Sequence, residues 1–219
     1  MYILVTQALD DTTNHIAPQV ESMGPGYAWE ADNSIRHIRD NKPLAFTPNF
    51  NTLILDQDTR LTDLISQLLI PAPGLLLSAE LLAMIKAYVI QKYVVYDAPV
   101  SYRGQRHDYY WLHFTEQQEQ SINFQQSVFG LYNMDNHWQQ DLTFAGYGEF
   151  AEKCQELTFM LGGQLVPKKL TFVDAEQPDL FVIMTTEPIY YVSNKLAEEL
   201  QASNTIGYQL IPSQLQIVF

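Results

Sequence analysis

The chain of 219 residues predicts an α+β fold, mainly antiparallel sheet with a few packed helices. Three observations lead there. Short apolar runs bounded by turn residues outnumber amphipathic stretches, the pattern of many strands and few helices. Hydrophobic residues make up 47% and aromatics 12%, enough to fill a sizeable core at this length. One segment, moreover, occurs twice. Leu76 to Leu82 leads into an apolar-periodic stretch and then Tyr93-Val94-Val95-Tyr96, while Tyr191 to Ala197 leads into a second such stretch and then Tyr208-Gln209-Leu210-Ile211. The copies align without a gap about 115 residues apart, with Ser78 on Ser193, Leu81 on Leu196, Ile85 on Leu200 and Tyr93 on Tyr208. Each reads as a strand, a serine N-cap, a short helix and a return strand.

A serine at that place can accept a bond from an orphan backbone N–H of the first turn. Neither copy has Glu or Gln three residues later, so the reciprocal capping box is missing. Leu81, Ile85 and Tyr88 fall at i, i+4 and i+7, and Leu196 and Leu200 at i and i+4, which gives each helix one apolar face. The second helix is expected to stop at Asn204-Thr205-Ile206-Gly207. The first has Gln91-Lys92 there and no glycine.

From the N-terminus, residues 1–7 read as a strand and residues 8–52, rich in turn formers such as Gly24-Pro25-Gly26, as irregular chain with short strands. Thr52 to Leu55 is a short apolar run. Leu61 to Leu69 carries helical spacing and ends at Pro71-Ala72-Pro73-Gly74. After the first repeated unit, Tyr93 to Val100 and Tyr109 to Phe114 form the arms of a hairpin that turns near Gly104. Ser121 to Phe124, Val128 to Tyr132, Leu157 to Leu161, Leu170 to Val173 and Leu180 to Met184 read as strands. Residues 133–155 are mixed, with Gly146 and Gly148 breaking any long element, and Leu215 to Phe219 reads as a docked terminal strand.

Only 17% of residues are charged, yet the net charge is −13. No Lys or Arg precedes Arg36, and none lies between Arg106 and Lys153. A field of this sign repels nucleic acid and anionic membranes and attracts basic partners. No stretch approaches the roughly 20 apolar residues of a membrane span, and the apolar N-terminus lacks the basic flank of a signal peptide. The single cysteine, Cys154, allows no disulfide within the chain and fits a reducing, cytoplasmic setting.

No catalytic set stands out. Asp56 and Asp58 follow an apolar run and define the alternative reading, a metal-dependent enzyme, against an ordinary strand-to-helix loop. His107, Tyr109, Trp111 and His113 share one strand face by alternation. The two histidines are too far apart to chelate one metal, and an aromatic, half-buried face is the simpler account. Gly24-Pro25-Gly26 lacks the lysine and spacing of a phosphate loop. No cofactor, metal or catalytic residue is therefore assigned. A non-catalytic assembly module is the other alternative.

Five segments, in this order and spacing, resemble one family. They are Leu61-Thr62-Asp63-Leu64; the first serine–helix–strand unit; Tyr109-Tyr110-Trp111-Leu112; Ile122 to Phe129; and Tyr191-Val192-Ser193 with Thr205-Ile206-Gly207-Tyr208. The family is that of the bacterial immunity proteins of polymorphic toxin systems, and the likeness covers roughly residues 60–211. Asn123 stands where the family more often has Asp. The resemblance implies an α+β domain over 61–219, preceded by an irregular, strand-containing subregion over 1–60 that can fold as one unit with it. It also implies inhibition: such proteins bind and neutralise a cognate toxin. Joined to the acidic charge, this makes a basic toxin protein the expected partner, with Trp111, Glu116, Glu119, Asp135, Trp138 and Asp141 as candidate contact residues.

Overall fold

The structure, a computed structural model, describes residues 1–6, 18–160, 162–173 and 178–218. The early part of the 8–52 stretch, Leu161 and Phe219 lie outside the described residues. In chain order the strands begin with β1 (Tyr2–Thr6), β2 (Val20–Met23), β3 (Leu53–Leu55), β4 (Leu64–Ile65) and β5 (Gly74–Ser78), followed by helix α1 (Ala79–Ile85). Next come β6 (Tyr93–Asp97), β7 (Val100–Tyr102), β8 (Gln105–His107), β9 (Tyr109–Phe114), β10 (Val128–Tyr132) and β11 (Trp138–Leu142), then α2 (Tyr147–Met160). β12 (Gln164–Thr171), β13 (Leu180–Met184), β14 (Pro188–Val192), α3 (Asn194–Ala202), β15 (Tyr208–Pro212) and β16 (Gln216–Val218) complete the chain. Strand outweighs helix, 38% to 18%, in an α+β arrangement of mostly antiparallel sheets.

Four sheets are joined in series by three cores. The N-terminal sheet, β2-β3-β7-β8, shares Leu53, Val100, Trp111 and Leu76 in one core with the first central sheet, β4-β5-β9-β6. The other face of that sheet (Leu75, Leu77, Leu112) packs with α1, α3 and the second central sheet, β13-β14-β1-β15, through Leu4, Val182 and Val192. The far face of the second central sheet (Phe181, Ile183, Tyr191) meets α2 and the distal sheet, β11-β10-β12-β16. Both central sheets thus bury both faces, which explains why Leu75-Leu76-Leu77 and Leu180 to Ile183 are apolar without alternation.

The repeated segment is one part of a larger equivalence. The two central sheets have corresponding strand orders, with β4, β5 and β6 matching β13, β14 and β15. Their registers also match. Leu77 faces Tyr110 as Val192 faces Tyr2, and Leu75 faces Leu112 as Tyr190 faces Leu4. Tyr93 faces Phe114 as Tyr208 faces Thr6. β1, from the start of the chain, therefore fills the slot that β9 fills in the other sheet.

Both serines cap as expected: Leu81 N–H donates to Ser78 Oγ at 3.2 Å, and Leu196 N–H to Ser193 Oγ at 3.1 Å. Each serine hydroxyl in turn donates to an aspartate just before the unit's first strand, Ser78 to Asp63 at 2.7 Å and Ser193 to Asp179 at 2.6 Å. The second oxygen of each carboxylate reaches the opposite unit. Asp63 accepts Ile206 N–H beyond α3 at 2.9 Å, and Asp179 accepts Val89 N–H beyond α1 at 3.1 Å. Each aspartate thus ties its own helix cap to the other unit's helix exit. Gly207, at φ +103°, is needed there because a Cβ would stand 2.3 Å from the Leu64 carbonyl oxygen.

Four expectations are corrected. Leu61 to Leu69 is not helical: Leu64 and Ile65 pair with Leu77 and Leu76 as β4, and tertiary pairing overrides the spacing. Ser121 to Phe124 is not a strand, since Gln118–Ser121 is a 3₁₀ turn and Ile122 forms only an isolated bridge to Phe172. Of the strand expected over Leu157 to Leu161, residues 157–160 form the last turn of α2, which buries Phe150, Cys154 and Leu157 on one face, and Leu161 lies outside the described residues. The hairpin exists but divides between two sheets, β6 pairing with β9 and β7 with β8.

Candidate functional site

The residues without Lys or Arg between β9 and α2 form the candidate partner surface. The structure divides the six sequence candidates into two groups. Trp111 is 0% exposed, packed against Phe50 and Tyr96 in the core under the N-terminal sheet, and Glu119 is 1% exposed. Neither can touch a partner: Trp111 is covered by the N-terminal sheet, and Glu119 is held against β13. Glu116, Asp135, Trp138 and Asp141 are exposed.

Trp138 and Asp141 lie on β11, the edge strand of the distal sheet, and their side chains form one assembly with Lys168 of β12. Trp138 Nε1 donates to Asp141 Oδ1 at 2.9 Å. Lys168 Nζ donates to both Asp141 oxygens at 2.8 and 2.9 Å and lies 5.7 Å from the Trp138 ring centre. The hydrogen bonds from Lys168 and Trp138 hold the Asp141 carboxyl below its usual range. The indole, 55% exposed, is thereby held in a set orientation, while Asp141 is not a free anion.

The β10–β11 turn is built by its own side chains. Asn136 takes φ +59°, Asn133 Oδ1 accepts His137 N–H at 2.8 Å, and Gln164 Nε2 donates to Asn136 Oδ1 at 3.0 Å. Asp135 and Met134 project from this turn, and Met134 is 75% exposed. Met134 lines a shallow cavity of about 390 Å³ with Leu157, Thr158, Gly163 and Gln164. Phe159, 79% exposed, stands in the same turn of α2. Sequence reasoning missed Met134 and Phe159. The i, i+4, i+7 spacing of Phe150, Cys154 and Leu157 was the available signal for the helix that leaves Phe159 outside.

The remaining candidates are structural. Asp56 Oδ1 accepts the Asp58 N–H at 2.8 Å, an Asx turn after β3. Among the described residues no group of three or more His, Cys, Asp or Glu side chains is placed to hold a metal ion. His113 is buried, stacked on Trp111 at 4.6 Å, with Nε2 3.0 Å from the Lys42 carbonyl oxygen. Burial lowers its pKa. Cys154 is buried, and burial with the neighbouring Glu119 pushes its thiol up to about 12, so it stays protonated and unreactive. Two larger cavities of about 630 Å³ each share Thr6, Leu64, Leu75, Glu187, Pro188 and Tyr190. The Tyr190 hydroxyl is engaged by Gly74, whose N–H donates to it at 3.0 Å. Glu187 is the one carboxylate in their lining among the described residues, so no acid–base pair converges there.

No helix among the described residues is long and apolar enough to cross a membrane. Comparison with protein-family models, curated proteins and solved structures found no match.

Proposed function

We propose that the chain is an immunity protein, which binds a basic bacterial toxin in the cytoplasm and neutralises it by occupation rather than by chemistry. The observation that carries this reading is the oriented, exposed Trp138, in a stretch that also holds exposed Met134, Asp135 and Glu116 and no Lys or Arg. An exposed, oriented aromatic side chain in an acid-rich segment, its neighbour Lys168 already paired with Asp141, has the make-up of an interface anchor with electrostatic steering around it. The sequence resemblance to immunity proteins supports the same assignment. The tied-up Asp56 and the buried His113 and Cys154 offer the enzymatic alternative no assembled constellation.

The test is binding to, and protection against, a basic toxin encoded by a neighbouring gene. Trp138→Ala is expected to weaken binding by about 2 kcal/mol or more, roughly 30-fold, mainly through faster dissociation. Glu116→Lys with Asp135→Lys is expected to slow association and flatten its salt dependence, with no loss of folding. If both variants bind and protect like the parent chain, this surface is not the one used.

A further inference from the structure

Three side-chain oxygens close outward edges of the two central sheets. Gln19 Oε1 accepts Ser66 N–H at the end of β4 at 2.9 Å. At the corresponding place on β13, Gln91 Oε1 accepts Val182 N–H at 2.7 Å. Two residues further along β13, Glu119 Oε1 accepts Met184 N–H. An unpaired strand edge needs such cover, and a neutral amide supplies it twice. The third acceptor is a carboxyl group, although a glutamine oxygen would accept the same bond. The carboxyl differs from the amide in one respect, its proton.

The surroundings of Glu119 make that proton consequential. The side chain is buried between the 3₁₀ turn Gln118–Ser121, β13 and α2. The turn itself contributes buried Gln118, the Glu119 backbone N–H and no ionisable group besides Glu119, and β13 contributes the Met184 N–H. From α2 the titratable groups whose charge reaches Glu119 are Tyr147 and Cys154, both raised and neutral at physiological pH. No Lys, Arg or His forms an ion pair with it among the described residues. An ionised carboxylate here has two backbone N–H groups, those of Met184 and of Glu119 itself, and no cation, and these do not offset its desolvation.

We propose that Glu119 is a proton-operated latch that seats the Gln118–Ser121 turn on the edge of β13 when protonated and releases it when ionised. Burial pushes the carboxyl up to about 7 from an ordinary value of 4.5. A group raised in the closed form stabilises that form fully below its ordinary value, and the contribution is lost as pH rises through about 7. Release uncovers the Met184 N–H while the two glutamine-held amides stay covered.

Hydrogen exchange on the full chain between pH 4 and 9, corrected for intrinsic exchange, tests this. Protection of the Met184 amide is expected to fall by up to about tenfold per pH unit between 4.5 and 7 and to level off above 7. Protection at Ser66 and Val182 is expected to stay flat. Glu119→Gln is expected to keep the Met184 bond and remove its pH dependence. The proposal is overturned if Met184 protection is flat, if all three amides decline together, or if Glu119→Gln leaves the decline in place. The wild-type comparison of the three amides decides the matter even should the variant fold poorly.

Discussion

The two central sheets hold the same hydrogen-bonding plan on different packing. In the first, β5 and β9 set Leu76 and Trp111 against the core under the N-terminal sheet. In the second, the matching Tyr191 and Ile3 face α2 and the distal sheet. Strand order, register, serine cap and aspartate tie recur; most strand side chains do not. Backbone hydrogen bonds and caps obey geometry that is the same at both places, whereas side chains must fill whatever volume lies opposite. Polar ties are therefore the better record of the equivalence, and hydrophobic content reports the local neighbour.

The sharpest way to break the comparison is to hollow both helix faces. Leu81 and Leu196, 1% and 0% exposed, occupy matching positions in the shared core. Leu81→Ala and Leu196→Ala are each expected to cost about 2–5 kcal/mol, read from denaturant midpoints at unchanged slope. A value near zero at either site would end the equivalence. Next come the aspartates. Asp63→Ala and Asp179→Ala each strand a serine hydroxyl and a backbone N–H of the opposite unit, so each is expected to destabilise by about 1–3 kcal/mol. Strongly unequal losses would mean that one tie is ornamental. The smallest effect belongs to the caps: Ser78→Ala and Ser193→Ala are expected to cost about 1 kcal/mol each, as thermal unfolding would show.

Much of this plan was legible in the residues, and the illegible parts have identifiable causes. The serine caps, the leucine faces and β1, β3, β10, β13 and β16 follow from local pattern and turn chemistry. The aspartate ties were hidden because Asp63 stands 15 residues before Ser78 and Asp179 stands 14 before Ser193, so a gapless alignment never superposes them. Leu61, Leu64, Ile65 and Leu68 have helical spacing, yet Leu68 is exposed and Leu64 and Ile65 are claimed by β5. α2 was missed because Gly146 and Gly148 look like breakers. They fall at its first turn, where N–H groups have no helical partner and glycine is tolerated. Of the proposed partner surface, Trp138 and Asp135 could be named from composition. That Trp111 and Glu119 face inward depends on which sheet covers them, and no local signal carries that.

The place of β1 bears on how the molecule is made. β9 can join β5 and β6 as soon as it leaves the ribosome. β1 is synthesised long before its neighbours β14 and β15, so Tyr2–Thr6 waits unpaired until residues 188–212 emerge. The second central sheet can therefore close only after those residues have been made. Until then an apolar inner strand is without its neighbours, the interval in which a nascent chain is most open to aggregation.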